Sequence, residues 1–584
     1  MSTDFSKVLV KDDRLAVSDS IKYAVSKGGQ NVTVNSFNAI SKSTSSLTFN
    51  VQVPSEQTII DRRVMLRSKF TIELKGVPAD DKFLLNLGTS DALAPFPMHQ
   101  CIQTMQATIN NNTVNLNCLD VINAIIRSND VRELSAYNSM CPTAFDTYQS
   151  YPDAIGANNN PNGAFNEVAD PDLLPRGAFG QIVSITGNTI QATGAGALKT
   201  VTLQVVTTEP LLISPFIFAD PKSNNQGFYG IQNLNFTFNL SPDARRCIRI
   251  GSPVADTTLT SFQLKSVDEA ELIFNFLTPH SSDLLPARNV VPYYELPRYI
   301  TTYSGVPNLT AGVRDVSSQI ITPSSGTINS NSIQLSSIPD KLIIFVRKPI
   351  GSQTPRDTDS FIPITGISIN WNNNSGLLSS ATQQDLYRYS REAGYNGTWA
   401  EFCGRAWGFR AGVPGSTGAG KHIVTSGSML MLDFAKHIQL TESWYAPGSL
   451  GNFNLQFKLA LENYSSTDYS ASPLELVLIT MNSGVFVCER GTSSIFTGLL
   501  TKQDVLDAST QESYSGSEVK RLVGGGWFDK LKSVAGQVLP RALPVARAIL
   551  GQVDHPVANQ GAQLLGSLGF GKSGGKGKLA SRVM

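Results

Sequence analysis

The chain has 584 residues and a mass of 63.0 kDa, past the size at which one hydrophobic core stops growing, so a single small domain is excluded. Hydrophobic residues make up 41% and charged residues only 16%, against roughly 25% charged in an ordinary soluble protein; a highly charged disordered chain is excluded, and the polar surface must come from Ser, Thr, Asn and Gln. No run of about 18 apolar residues occurs and MSTDFSKVLVKDDR at the start has no apolar core, so neither a membrane span nor a secretory leader is expected. The six cysteines (Cys101, Cys118, Cys141, Cys247, Cys403, Cys488) are scattered with no C-x-x-C pair. That pattern predicts buried free thiols in a reducing compartment, not a zinc site or a disulfide framework.

In chain order, the first 45 residues read as an N-terminal arm. Strict alternation then begins: Leu47, Phe49, Val51 and Val53, followed by Phe70, Ile72 and Leu74. Each such stretch predicts a strand with one buried face. Ala107 to Asn112 (ATINNN) ends a strand, and Leu119, Ile122, Ile125 and Ile126 after it form a helical face. Turn-rich sequence comes next, including NNNPNG at 158–163, before Leu234, Phe236, Phe238 and Leu240 alternate again. Phe262 to Phe276 is expected to open a second half. There Ser368 to Asn374 (SINWNNN) again ends a strand and is followed by a helical face, Leu386, Tyr389 and Ala393. Gly448 to Leu461 (GSLGNFNLQFKLAL) then repeats the order of Gly230 to Leu240 (GIQNLNFTFNL), a glycine, an asparagine and an alternating strand. Short strands, long loops, few helices and this duplication predict an all-β chain of two tandem sandwiches. The expected units are 46–255 and 256–518, with a tail at 519–584. The polar loops Asn158–Pro175 and Asp315–Asn331 are expected to project without a buried face.

No catalytic constellation is visible. GSTGAGKH (Gly415–His422) matches a P-loop except at its last position, where His422 replaces the Ser or Thr that would ligate magnesium. The motif should also open a helix, whereas HIVTSGSMLMLDF is β-rich and broken by Gly427. His99, His280, His422, His437 and His555 fall in no metal-binding frame. No enzyme activity, cofactor or metal is expected.

The tail carries more readable chemistry. Between Val519 and Met584 there are ten basic residues and two acids, a balance of +8. The total is +1, so the rest of the chain carries −7. An acidic body with a basic tail predicts an anionic partner for the tail, nucleic acid or a membrane surface, with a merely solvated tail as the alternative. At the border, Leu522-Val523-Gly524-Gly525-Gly526 fits the substrate pattern of adenovirus-type cysteine proteases, with cleavage after Gly525; a plain glycine linker is the competing reading. Trp527, Leu531, Val534 and Val538, with Phe528 alongside, form the apolar face of a basic amphipathic helix ended by Pro540. Such a helix suits either a membrane or a protein surface. Lys572, Lys576, Lys578 and Arg582 lie in glycine-rich sequence and are candidates for nucleic-acid contact.

Several segments carry a family resemblance: SLTFNVQVPSEQTIIDRRVMLRSKFTIEL (46–74), IQLSSIPDKLIIFVRK (333–348), INWNNNSGLLSSATQQDLYRYSREAGYNGTWAEFCG (369–404) and SMLMLDFAKHIQLTESWYAPGSLGNFNLQFKLALEN (428–463). They resemble the double jelly-roll major capsid proteins of virophages and Polinton-like DNA viruses. The most specific pieces are IPDKLIIFVR and APGSLGNFNLQ, whose loop is set by Pro447, Gly448 and Gly451. The resemblance implies two eight-stranded jelly rolls and a homotrimer of pseudo-sixfold outline. It also implies an icosahedral shell around double-stranded DNA, built with neighbouring capsomers and penton or minor capsid proteins, in a virion assembled in host cytoplasm or nucleus. It gives the protease a context, as a viral maturation enzyme, and makes the tail's nucleic acid genomic DNA. A carbohydrate-binding or adhesive β-sandwich protein is the alternative.

Overall fold

The computed structural model describes residues 6–10, 23–27 and 30–498, with gaps at 78–82, 86, 88–90, 129–140, 144, 151–181, 190–197, 218–226, 251–258, 280–288, 409–420, 441–444 and 490. The first sandwich is framed by eight principal strands, with shorter ones at its edges: β1 (Gln30–Asn38), β2 (Ser46–Val51), β3 (Met65–Gly76), β4 (Ile102–Ile109), β5 (Asn112–Leu116), β6 (Lys199–Pro210), β7 (Leu234–Leu240) and β8 (Leu259–Pro279). One sheet runs β1-β8-β3-β6 and the other β2-β7-β4-β5. The second sandwich repeats this plan with β9 (Arg298–Tyr303), β10 (Ile333–Ser337), β11 (Lys341–Arg347), β12 (Ile364–Trp371), β13 (Asn374–Leu377), β14 (Leu430–Asp433), β15 (Leu450–Asn463) and β16 (Leu474–Glu489). Its sheets run β9-β16-β11-β14 and β10-β15-β12-β13, the same order with each number raised by eight. Every pairing between these strands is antiparallel. Two jelly rolls in one chain are the result.

Alternation decides which face is buried. β7 buries Leu234, Phe236, Phe238 and Leu240, and β15 buries Phe453, Leu455, Phe457, Leu459 and Leu461. Phe216 packs against Phe228, Phe236 and Phe274 in the first core. In the second, Trp371 lies against Phe434 and Phe453 with ring centroids 4.8 and 5.3 Å apart.

The duplicated Asn-rich segments occupy equivalent turns. Asn110 comes directly after β4 and Asn372 directly after β12, both in the left-handed region, with φ of 54° and 51°, where Asn is better tolerated than most residues. Asn110 N–H donates to the Asn233 carbonyl (2.7 Å) while its Oδ1 accepts from the N–H groups of Gln232 and Asn233. Asn372 N–H donates to the Asn454 carbonyl (2.9 Å) and its Oδ1 accepts from Asn454 N–H (2.8 Å). In each roll the turn asparagine thus ties the fourth-to-fifth strand hairpin to the seventh strand.

Three expectations are corrected. The segment expected to open the second unit is the last strand of the first: β8 pairs with β3 and β1 from Leu259 to Pro279, so the break expected at 255/256 comes a strand too early. Polar residues Ser266, Asp268 and Glu269 and three register shifts interrupt its alternation, and the polar run before it reads as a linker. The N-terminal arm expected over 1–45 contains β1, which pairs with β8 from Asn38 back to Gln30. Finally, 315–331 is not all projecting loop. Ser324–Asn329 pairs with β15 and buries Ile328, because an edge strand needs little apolar sequence when its backbone is held by a neighbour. The Asn158–Pro175 loop lies outside the described residues.

Candidate functional site

The strand registers bring the β3–β4, β5–β6 and β7–β8 connections to one end of the first sandwich. The matching connections of the second sandwich emerge at one of its ends in the same way. Where these loops meet, the two rolls are joined by a buried polar seam. From the β7–β8 connection, Arg246 donates to Asp359 Oδ1 (3.1 Å) and Arg249 to Asp359 Oδ2 (3.1 Å); Asp359 comes from the β11–β12 connection of the second roll. Arg249 also donates to Asp146 Oδ2 (3.1 Å), which accepts the Asp359 N–H as well. Gln100 Oε1 accepts from Arg246 Nε and Nη2, and Gln353 faces the same guanidinium.

All these charged groups are buried, with side chains no more than 7% exposed. Burial alone would lower the Arg249 pKa, but the carboxylates of Asp146 and Asp359 outweigh it and hold it above the ordinary value. Arg246 falls below its ordinary value because burial, with Arg347 and Arg249 nearby, exceeds the pull of Asp359. A desolvated charge network of this kind contributes little net attraction, yet it is costly to break one partner at a time. It therefore fixes how the two rolls sit together.

Helix α1 (Cys118–Ser128) lies in this seam with all eleven residues buried. Its Asp120 pairs with Arg347 and Arg298 of the second roll, and Arg347 reaches on to Glu475 (3.2 Å). Arg127 donates to the carbonyls of Asp146 (2.8 Å) and Asp359 (2.9 Å), with its guanidinium about 5 Å from the rings of Phe145 and Phe361. At the far end of the first roll, β17 (Thr492–Thr497) docks on the β4–β5 turn: Ser493 N–H donates to Asn111 Oδ1 (2.8 Å) and Ser493 Oγ to the Ile109 carbonyl (2.7 Å). The rolls are thus tied at both ends.

None of the seam residues stands out in the sequence, since charged residues are read as surface. A cue exists in KLIIFVR, where Lys341 and Arg347 bracket an apolar run in a strand that is buried throughout. The tail residues proposed for cleavage (Leu522, Gly524, Gly525, Gly526), for the amphipathic helix (Trp527, Phe528, Leu531, Val534, Val538) and for nucleic acid (Lys572, Lys576, Lys578, Arg582) lie outside the described residues. At the P-loop look-alike, Lys421–Val424 is a strand paired with Arg405–Gly408, so no helix N-terminus faces a phosphate there. Among the described residues no group of three or more His, Cys, Asp or Glu side chains is placed to hold a metal. No helix among them is long and apolar enough to cross a membrane.

Two jelly rolls of identical strand order, locked side by side in one chain, define a protein of the double jelly-roll capsid class. Comparison with known proteins narrows this. Residues 3–277 match the family model described as the Sputnik virophage major capsid protein first domain, and residues 296–484 match the major capsid protein V20 C-terminal domain; the first match ends two residues before the end of β8, the last strand of the first roll. A Sputnik virophage protein described as capsid protein V20 is 30% identical, over 98% of this chain and 95% of the relative. The capsid structure of Sputnik virophage matches with a TM-score of 0.73 at 29% identity, covering 88% of this chain and 98% of the other. The mavirus major capsid protein shares the fold, with a TM-score of 0.65 at 17% identity over 85% of this chain and 96% of that one. The chain belongs to the virophage major capsid protein family. Its relatives are structural components of virions, which displaces the adhesive or carbohydrate-binding reading.

Proposed function

We propose that the chain assembles as a homotrimer of pseudo-sixfold outline and that these trimers tile an icosahedral shell around double-stranded DNA. The observation that supports this reading best is the repetition of one sheet order in two rolls held by a buried seam. Each chain then presents two similar upright walls, and three chains present six. Neighbouring capsomers and penton or minor capsid proteins are the partners, and the virion, assembled in host cytoplasm or nucleus, is the location. Size-exclusion chromatography with light scattering on the full chain tests it: a mass near three times 63.0 kDa is expected, and a monomer at micromolar concentration rejects it.

For the tail, we propose cleavage after Gly525 by a maturation cysteine protease, action of Trp527–Leu539 on a host membrane or the inner capsid wall, and contact of Lys572–Arg582 with genomic DNA. Support comes from the position of Leu522–Gly526 between an acidic body and a basic tail. Chains from mature particles should end at Gly525, and Met584 retained in every copy rejects processing. A peptide spanning 526–540 should release dye from anionic liposomes, and Trp527→Glu with Leu531→Glu should abolish release. Retained leakage by the double variant rejects the membrane role. The 572–582 segment should bind DNA with an affinity that falls with salt, at a log–log slope of roughly −0.9 per phosphate contacted.

A further inference from the structure

Beside the seam, two of the six cysteines face each other. Cys101 ends the short helix His99–Cys101 in the β3–β4 connection, and Cys247 ends the helix Arg245–Cys247 in the β7–β8 connection. Their Sγ atoms are 3.0 Å apart, inside the ordinary contact distance of two sulfurs, and both side chains are fully buried. Their backbones are held from independent directions. The Cys101 carbonyl accepts from Ser241 N–H (2.7 Å) and the Cys247 carbonyl from Ala94 N–H (2.8 Å). The Cys247 thiol also reaches the Pro97 carbonyl (3.1 Å), whereas the Cys118 thiol has the His99 carbonyl (3.8 Å) and, among the described residues, no facing cysteine.

We propose that Cys101 and Cys247 are a site of oxidative cross-linking, converted to a disulfide by a peroxide-class oxidant. The step balances: both S–H bonds and the O–O bond of hydrogen peroxide break, one Sγ–Sγ bond forms, the two sulfurs lose two electrons to the peroxide oxygens, and both thiol protons leave in two waters. A disulfide is about 2.05 Å long, so the sulfurs need to approach by about 1 Å. Contact with Cys101, and then burial, push the Cys247 thiol well above its ordinary range. The thiolate that must attack is therefore scarce in the closed structure, and the bond forms while this site is open during folding or local opening. Once closed over, the linkage is shielded from thiol reductants.

The consequence reaches the second roll. Gln100 and Arg246, the chain neighbours of the two cysteines, carry the contacts to Asp359 and Gln353. A bond between 101 and 247 fastens together the two connections that receive the second sandwich. It also closes a long loop in the unfolded chain, the situation in which a cross-link stabilises most.

The test uses the full chain, refolded once with excess reductant and once with hydrogen peroxide, then denatured with N-ethylmaleimide and no reductant. Intact mass should give six adducts for the reduced protein, one per cysteine, and two fewer for the oxidised one. Peptide mapping should join Cys101 to Cys247, and the thermal midpoint should rise by several degrees on oxidation. Cys101→Ser and Cys247→Ser should each remove that rise while keeping the midpoint of the reduced parent. If either variant fails to fold, the adduct count and peptide map of the unsubstituted chain decide. Full labelling after refolding in peroxide, or a bond joining other cysteines, overturns the proposal.

Discussion

The two jelly rolls share a strand order but treat the same connection differently. After the fifth strand of the first roll comes α1 (Cys118–Ser128), whose eleven residues are all buried. After the fifth strand of the second comes α2 (Gln383–Glu392), of which only Leu386 and Ser390 are buried. The difference lies in what covers each helix. α1 has its own roll on one side and Arg298, Arg347, Asn396 and Met431 of the second on the other. α2 rests on β14, with Met431 N–H donating to Ser390 Oγ (3.1 Å), and leaves its other side in water. An exposed helix must supply its own ends, and α2 does so with a full capping box between Thr382 and Asp385. A duplicated element thus becomes interior or surface according to where the partner roll lies.

The seam offers the largest test of this contrast. Asp359→Ala strips Arg246 and Arg249 of a shared carboxylate in a buried site, and about 3–5 kcal/mol of stability should be lost. Urea unfolding followed by tryptophan fluorescence measures it. If the protein unfolds in two transitions, the rolls separate first and the seam is the weaker link. Asp385→Ala, on the exposed helix, should cost only about 1 kcal/mol. A similar loss from both would mean that the buried network holds nothing.

Next in size is the apolar face of α1. Ile122→Ala removes a side chain with no exposed surface, and about 2–5 kcal/mol is expected from lost transfer and the cavity left behind. Arg388→Ala, on the outer side of α2, pairs at its surface with Asp385. Its cost should stay below about 1 kcal/mol. Thermal melts of both variants beside the parent suffice to rank them.

The turns test what the rolls have in common. Asn110→Ala and Asn372→Ala each forfeit the side-chain acceptor for the seventh strand and place Ala at positive φ. Each should cost about 2 kcal/mol. Comparable losses would show that the two copies of the turn perform one structural task. A cost at Asn110 alone would tie it to the docking of β17 on that turn, through Ser493 and Asn111.

The same turns explain what is legible in the sequence. Alternation such as NLNFTFNL and the repeated Asn-rich turns report local geometry, so strand existence and the duplication can be read directly. The seam cannot, because Asp146, Arg249 and Asp359 come together from three separate connections and nothing in their local sequence distinguishes a buried arginine from a solvated one. The Ser324–Asn329 strand escapes for a related reason: it owes its form to β15 and to one buried isoleucine, not to its own pattern.

The smallest expected effect is a dependence on pH that belongs to the exposed helix. His437 accepts Asp433 N–H on Nδ1 (3.0 Å), stacks near Tyr389 and faces Glu392 Oε2 through Nε2 (3.3 Å). Burial holds its pKa below the ordinary value, against the pull of Asp433 and Glu392 and with the push of Lys436. The folded state therefore binds fewer protons than the unfolded chain as pH falls through about 6.5, the ordinary histidine value. Stability present above that pH is lost as the pH drops toward the folded value, and protonation of Nδ1 also removes the acceptor that Asp433 N–H uses. Glu392, lowered chiefly by its hydrogen bond to Lys436, adds a second loss only below about pH 4.5, as the pH falls through its folded value. Between about pH 7.5 and 5.5 the unfolding free energy should fall, by no more than about 1.4 kcal/mol per pH unit, the limit for one titrating group, and His437→Gln should flatten that limb of the curve. If the glutamine variant loses as much as the parent over this interval, the titrating group lies outside the α2 contact, and the exposed helix is no more acid-sensitive than the buried one.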